Sequence, residues 1–337
     1  MSPSKGRTLT IVIAVMAIVP MAPAMVLSAM GFPAAILPWS LAALGGTMAT
    51  MFVGWRLGLA LTGALAIFGS LAFAAGQWQN PWMAGLVMGV FAFGYGYTSR
   101  WGISSNLIIA VVAIDMITAT GAAIVDDQSI TTNALLTGAI LVAAGLWGIL
   151  IGLFLSRYLP KTPRTSLSME HVWSFAIIMA VILGAAMAVV VAQQWQHGGA
   201  WFVLTLVVIL QPDYMDSVKK IAHRALGTIL GFAIALAIVS VIHVSWLVTL
   251  LGFAFLAVAM VFIMRPGSPY WVFVTFLTPA IVLMESNLDD AVSVDVARLG
   301  FTLLGVAVAA LVALAFYPLQ KRVPAPDPAP ATAAPTS

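Results

Sequence analysis

Apolar runs closed by polar breaks repeat along the whole chain. They fall near residues 9–30, 33–53, 57–76, 82–98, 103–121 and 133–156, then near 172–193, 199–211, 222–242, 245–264, 269–285 and 297–318. A hydrocarbon core of about 30 Å takes about 20 helical residues at 1.5 Å each, and most of these runs approach that length. The pattern predicts an all-α membrane protein of about 12 transmembrane helices. The basic stretch from Arg157 to Arg164 divides it. That gives a first six-helix membrane unit over 1–156, a cytoplasmic linker over 157–170 and a second six-helix unit over 171–322. The Pro- and Ala-rich tail over 323–337 can bury too little apolar surface to fold and reads as a disordered cytoplasmic end.

Composition agrees with the pattern. Hydrophobic residues make up 62% of the 337 positions and charged residues 7%, with a mean hydropathy of +1.07. A soluble domain of this length could not hide that much apolar surface. The net charge of +3 comes from scattered loop residues, and no basic helix with interleaved aromatics points to nucleic acid. The absence of cysteine excludes disulfides, iron–sulfur clusters and thiolate zinc sites. Four histidines without ligand spacing give no metal site, and no cofactor motif is present. Without HExxH, GxSxG or paired intramembrane acids the chain does not read as an enzyme, and without a P-loop it does not use ATP directly.

Charge placement orients the helices. With a cytoplasmic N-terminus, 13 of the 14 Lys and Arg residues fall at cytoplasmic ends and Arg298 alone does not. The opposite loops carry Asp126, Asp127, Glu285, Asp289 and Asp290. This is the positive-inside asymmetry, and it predicts both termini inside. Lys5 and Arg7 ahead of an apolar run with Ala22-Pro23-Ala24 resemble a signal peptide, but cleavage would remove a span on which the alternation depends. Tryptophans near the expected boundaries form the usual aromatic belts.

The two units read as copies. Arg56-Leu57-Gly58 recurs as Arg224-Ala225-Leu226-Gly227 about 168 residues later, and the same shift lays Thr137-Gly138-Ala139 near Leu304-Gly305-Val306. Units with an even number of spans share one orientation, which makes them parallel repeats. In each unit the second span is odd. The segment near Phe32 to Ser40 is interrupted by Pro33 and Pro38, and Trp201 to Leu210 is short and ends at Gln211-Pro212. Broken helices at matching places point to a transport site, although a tilted or re-entrant structural helix reads the same way.

Trp201 through Gln211-Pro212, then Lys219-Lys220, Arg224-Ala225-Leu226-Gly227-Thr228, Tyr270-Trp271-Val272-Phe273 and Thr278-Pro279 together resemble the membrane domain of the fusaric acid resistance and aromatic acid exporter superfamily. The resemblance covers residues 171–318, and the first unit shares it mainly through the repeat. It implies efflux of aromatic carboxylates or related toxic anions across a bacterial inner membrane, often with a periplasmic adaptor protein. A related plant branch forms anion channels. The long cytoplasmic domain of the larger exporters is missing here.

Candidate pathway residues are Asp115, Gln211, Arg224, Thr228, Thr278 and Trp271. Lys219, Lys220 and His223 would form a basic cytoplasmic vestibule that concentrates anions. Positive-inside topology alone also explains the lysines. Asp115 stands mid-span, where an ionised carboxylate costs about 2.5–3.5 kcal/mol, so it is either a proton carrier or a structural partner of Thr118 or Thr120. Arg298 would pair locally with Asp295, Asp290 and Asp289 at the outer end of its span. Trp271 would anchor at the interface or stack on an aromatic ligand. The expected activity is proton-coupled efflux of small aromatic or anionic compounds. The alternatives are a passive anion channel, or a membrane subunit of a multicomponent efflux complex, with a homo-oligomer compatible with each.

Overall fold

A computed structural model describes residues 19–20, 22–157, 167–210, 214–242, 244–264, 268–285 and 291–320. Among these residues every regular element is helical. The chain forms α1 (Ala22–Ala29), α2 (Ile36–Phe52), α3 (Trp55–Gln77), α4 (Pro81–Tyr97), α5 (Ile108–Thr120), α6 (Ile130–Leu155), α7 (Met169–Ala192), α8 (Gln196–Ile209), α9 (Tyr214–Val241), α10 (Ser245–Met264), α11 (Tyr270–Glu285) and α12 (Ala291–Gln320). Six segments are long and apolar enough to cross a membrane: Pro33–Phe52, Trp55–Gln77, Ile130–Leu155, Met169–Ala192, Ile221–Val241 and Ala297–Ala315. A helical, multi-pass membrane protein follows. Shorter apolar helices, such as Gly198–Ile209, accompany them. Half of the first expected span, 9–30, lies outside the described residues, and its end forms α1.

Local chemistry sets the helix ends. Asn80 caps α4 by accepting from the Met83 amide at 3.0 Å, with Pro81 following where a missing N–H costs nothing. Ser129 caps α6 through the Thr132 amide at 3.1 Å. The expected proline interruption is gentler than a break. Pro33 opens a 3-10 turn (Pro33–Ala35) and Pro38 sits in the first turn of α2, so neither removes an interior hydrogen bond. Two helices start earlier than hydropathy indicated: α9 at Tyr214 and α12 at Ala291. Their first turns carry polar residues such as Asp216 and Asp295, which hide a helix from any apolar-run criterion.

Small residues bring the helices together. In lipid, association depends on close backbone approach, which a side chain would block. A Cβ on Gly148 (α6) would strike the Ala43 carbonyl of α2, and one on Gly152 would lie 2.7 Å from the Thr47 carbonyl. These contacts run in the same direction on both helices, so α2 and α6 are parallel. Where the two units meet, α4 and α7 cross antiparallel through Gly85 against Gly184, Gly89 against Ala180 and Gly96 against Ala176. The glycines pack this seam backbone to backbone, and the groove of about 480 Å³ beside it is lined by apolar side chains and glycines. Replacing Gly148 with Leu is expected to lower the melting temperature of the purified protein by several degrees, because overpacking costs about 1–3 kcal/mol. Gly63→Leu, with nothing within 4 Å of its missing Cβ, should leave it unchanged.

Candidate functional site

The polar interior lies inside the second unit. Along α9 the buried residues Arg224, Gly227, Thr228, Gly231, Phe232 and Ala235 fall on one face at helical spacing. Gly227 and Gly231 let that face meet α11. A Cβ on Gly227 would sit 2.7 Å from the Trp271 carbonyl, and one on Gly231 would sit 2.8 Å from the Thr275 carbonyl. Both contacts ascend together, so α9 and α11 are parallel. A second parallel pair forms where Gly305 of α12 meets the Phe202 carbonyl and Thr205 of α8. Between these two pairs is a cavity of about 20 Å³ lined by Trp201 from α8, Arg224 and Thr228 from α9, Thr278 from α11, and Arg298 and Thr302 from α12.

Both arginines belong to the interior. Arg224 is 4% exposed and Arg298 8%. The Arg298 guanidinium lies over the Trp201 ring, 5.7 Å from its centroid, a cation–π placement that holds the charge against an aromatic face. Arg224 neighbours the Tyr270 hydroxyl. Its Nε has no hydrogen-bond partner among the described residues, and neither does the Thr228 hydroxyl. Thr278 turns its hydroxyl onto the Val274 carbonyl at 3.0 Å, and Thr205 bonds the Trp201 carbonyl at 2.7 Å. The cavity therefore offers guanidinium donors and one uncommitted hydroxyl inside an apolar shell. Two buried guanidinium groups favour negative charge close by. At about 20 Å³ the space holds about one water, and anything larger enters only if the surrounding helices move.

The structure brings together Arg224, Thr228 and Thr278 of the expected residues and adds six others, among them Trp201, Arg298 and Thr302. Arg224 stands near the start of the apolar stretch Ile221–Val241 and is buried. With α9 starting at Tyr214, it sits about 15 Å along the helix. Arg298 likewise lies about 10 Å into α12, facing inward. Its one readable signal was that it alone broke the charge alternation. The Trp271 ring does not line the cavity; its backbone packs on Gly227 instead. His223 is partly buried on α9 and does not line the cavity. Gln211 and the side chains of Lys219 and Lys220 lie outside the described residues, as do Asp289, Asp290 and the Asp295 side chain.

Asp115 is elsewhere. It sits in α5 of the first unit at 0% exposure, and neither carboxylate oxygen has a hydrogen-bond partner among the described residues. The structural role considered for it does not hold in this geometry. Thr118 donates to the Ile114 carbonyl at 2.7 Å and Thr120 to the Met116 carbonyl at 2.8 Å, so both hydroxyls are satisfied by their own helix.

These features define a helical membrane protein with a buried, cation-lined polar centre. Residues 179–312 match the model of the fusaric acid resistance protein-like family, so the family resemblance read from the sequence is shown over this segment. All the residues lining the cavity fall within it. An uncharacterized protein of Synechocystis sp. is 32% identical over 121 residues, covering 35% of this chain and 16% of that relative. The chain thus spans about a sixth of the length of the curated relative it matches. No solved structure matches.

Proposed function

We propose that the protein is a secondary transporter of the bacterial inner membrane that moves small aromatic or other organic anions out of the cytoplasm, driven by the proton gradient. The observation that carries this reading is the pair of buried arginines converging on one cavity within the family-matched segment. The narrowness of that cavity fits an occluded conformation, which helix movement would open to each side in turn. Twelve spans in two parallel units, with both termini inside, are supported by the charge alternation and by matching pairs: α2 with α6 in the first unit, α8 with α12 in the second, each parallel.

Asp115 is the proposed proton carrier. Its site has no donor or counter-charge among the described residues, so the carboxyl exchanges its proton only in a conformation that wets it. One charge moved through 100 mV supplies about 2.3 kcal/mol, enough for roughly fiftyfold accumulation. The test is flux of benzoate or 1-naphthoate in proteoliposomes with an imposed pH gradient and at a clamped potential. Accumulation that disappears when the gradient is collapsed supports antiport. Flux of unchanged size after collapse makes the protein a passive anion channel instead.

A further inference from the structure

The first unit holds its own cavity, at the positions that correspond to the polar one. Moved by the repeat interval of about 168 residues, Thr228, Phe232 and Thr278 fall on Ala60, Ala64 and Ala110. All three alanines line a second space, of about 230 Å³, between α3, α4 and α5. The contrast has a plain steric cause. Phe232 projects into the cavity of the second unit, whereas Ala64 in the same place leaves room. The charge has moved as well. Arg56, the counterpart of buried Arg224, is exposed and lies over the Trp55 ring at 5.6 Å from its centroid.

The floor of this space is apolar and aromatic. Leu61, Phe91, Tyr95 and Ala110 are buried, and Phe68 meets Phe91 edge to face at 5.4 Å. Its rim is open, because Ala60, Val90 and Gly94 are exposed between α3 and α4. The cleft therefore opens sideways, toward lipid. The lining residue Leu57 follows exposed Arg56 in the chain, Thr98 stands two residues before exposed Arg100, and Arg100 donates to the Tyr97 hydroxyl at 3.2 Å. In the orientation proposed above, both cations stand at the cytoplasmic membrane surface.

We infer that this cleft is a binding site for the ring of a planar aromatic acid arriving from the cytoplasmic leaflet, with its carboxylate toward Arg56 and Arg100. Three observations choose that occupant. The volume falls below the roughly 300–1,000 Å³ of drug-sized sites and suits one or two fused rings. The walls present aromatic faces and edges, which pack on a flat π-system. The flanking charges are both positive. The site rests on the transport reading only for its purpose, as a loading station ahead of the polar centre; the binding itself is separable from transport.

The test is photolabelling of the full-length protein in liposomes with 4-benzoylbenzoate, with labelled residues mapped by mass spectrometry. Labelling should concentrate at 57–68 and 90–110 and compete with 1-naphthoate. Ala64→Phe, which installs the residue of the second unit, and Ala60→Leu, at the exposed rim, should each cut it by about tenfold or more. If Ala64→Phe fails to fold, Ala60→Leu decides, since its side chain grows into the open rim. Labelling indifferent to the foldable variants, or spread evenly over lipid-facing positions such as Leu311 and Leu314, would overturn the assignment. So would competition by laurate but not by 1-naphthoate, which would give the cleft to acyl chains. Arg224→Gln separates the two readings, because it should stop transport while the first-unit cleft still labels.

Discussion

In proteoliposomes, Arg224→Gln is expected to reduce the flux of an aromatic carboxylate about thirtyfold or more while the flux of a neutral analogue of the same shape changes little. The size follows from burial. Arg224 is 4% exposed, and truncating one member of a buried charge pair costs about 2–5 kcal/mol, of which 2 kcal/mol is already about thirtyfold. The selectivity follows from chemistry, since glutamine keeps a hydrogen-bonding end but offers a carboxylate no countercharge. Arg224→Lys should retain part of the activity, because the charge survives but the planar fork of donors does not. Thr228→Val, which removes the hydroxyl without a partner, should cost about fivefold, the worth of one hydrogen bond. Equal loss for the neutral solute would show that the arginine serves folding or topology, and the anion-site assignment would fail.

Much of this architecture is readable in the sequence. In hydrocarbon the backbone must satisfy its own hydrogen bonds, so an apolar run can only be a helix, and runs such as 57–76 and 245–264 landed within a few residues of α3 and α10. What escaped were the turns that leave the hydrocarbon. At the start of α9, Asp216, Lys219 and Lys220 look like loop to a hydropathy reading, yet the helix runs through them. Those two extra turns place Arg224 about 15 Å along α9. Equally hidden was the meeting of Arg224 and Arg298, which lie on helices separated by α10 and α11. No local pattern reports it, because it depends on which helices pair. The glycines that decide the pairing, Gly227, Gly231 and Gly305, were visible as small residues whose partners were not. The offset of about 168 residues read from the sequence lays Thr228 on Ala60, and the site proposed for the first unit uses that correspondence.

Asp115→Asn is expected to abolish gradient-driven accumulation while leaving exchange of labelled for unlabelled substrate across the membrane intact. The distinction isolates coupling from passage. Asparagine matches aspartic acid in size but cannot release a proton, so a carrier that needs the proton step stalls, whereas exchange uses only the substrate-loaded half of the cycle. The same residue makes a second, opposite forecast for stability. A buried polar group without a partner costs about 1–3 kcal/mol, so Asp115→Leu, similar in volume and without a polar atom, should raise the melting temperature by a few degrees. A substitution that stabilises the fold and removes coupling identifies a carboxyl retained for its chemistry at the expense of packing. Loss of stability in Asp115→Leu would reveal a partner that this conformation does not contain. Wild-type accumulation in Asp115→Asn would remove the residue from the mechanism and leave the arginine-lined cavity of the second unit to act as a channel.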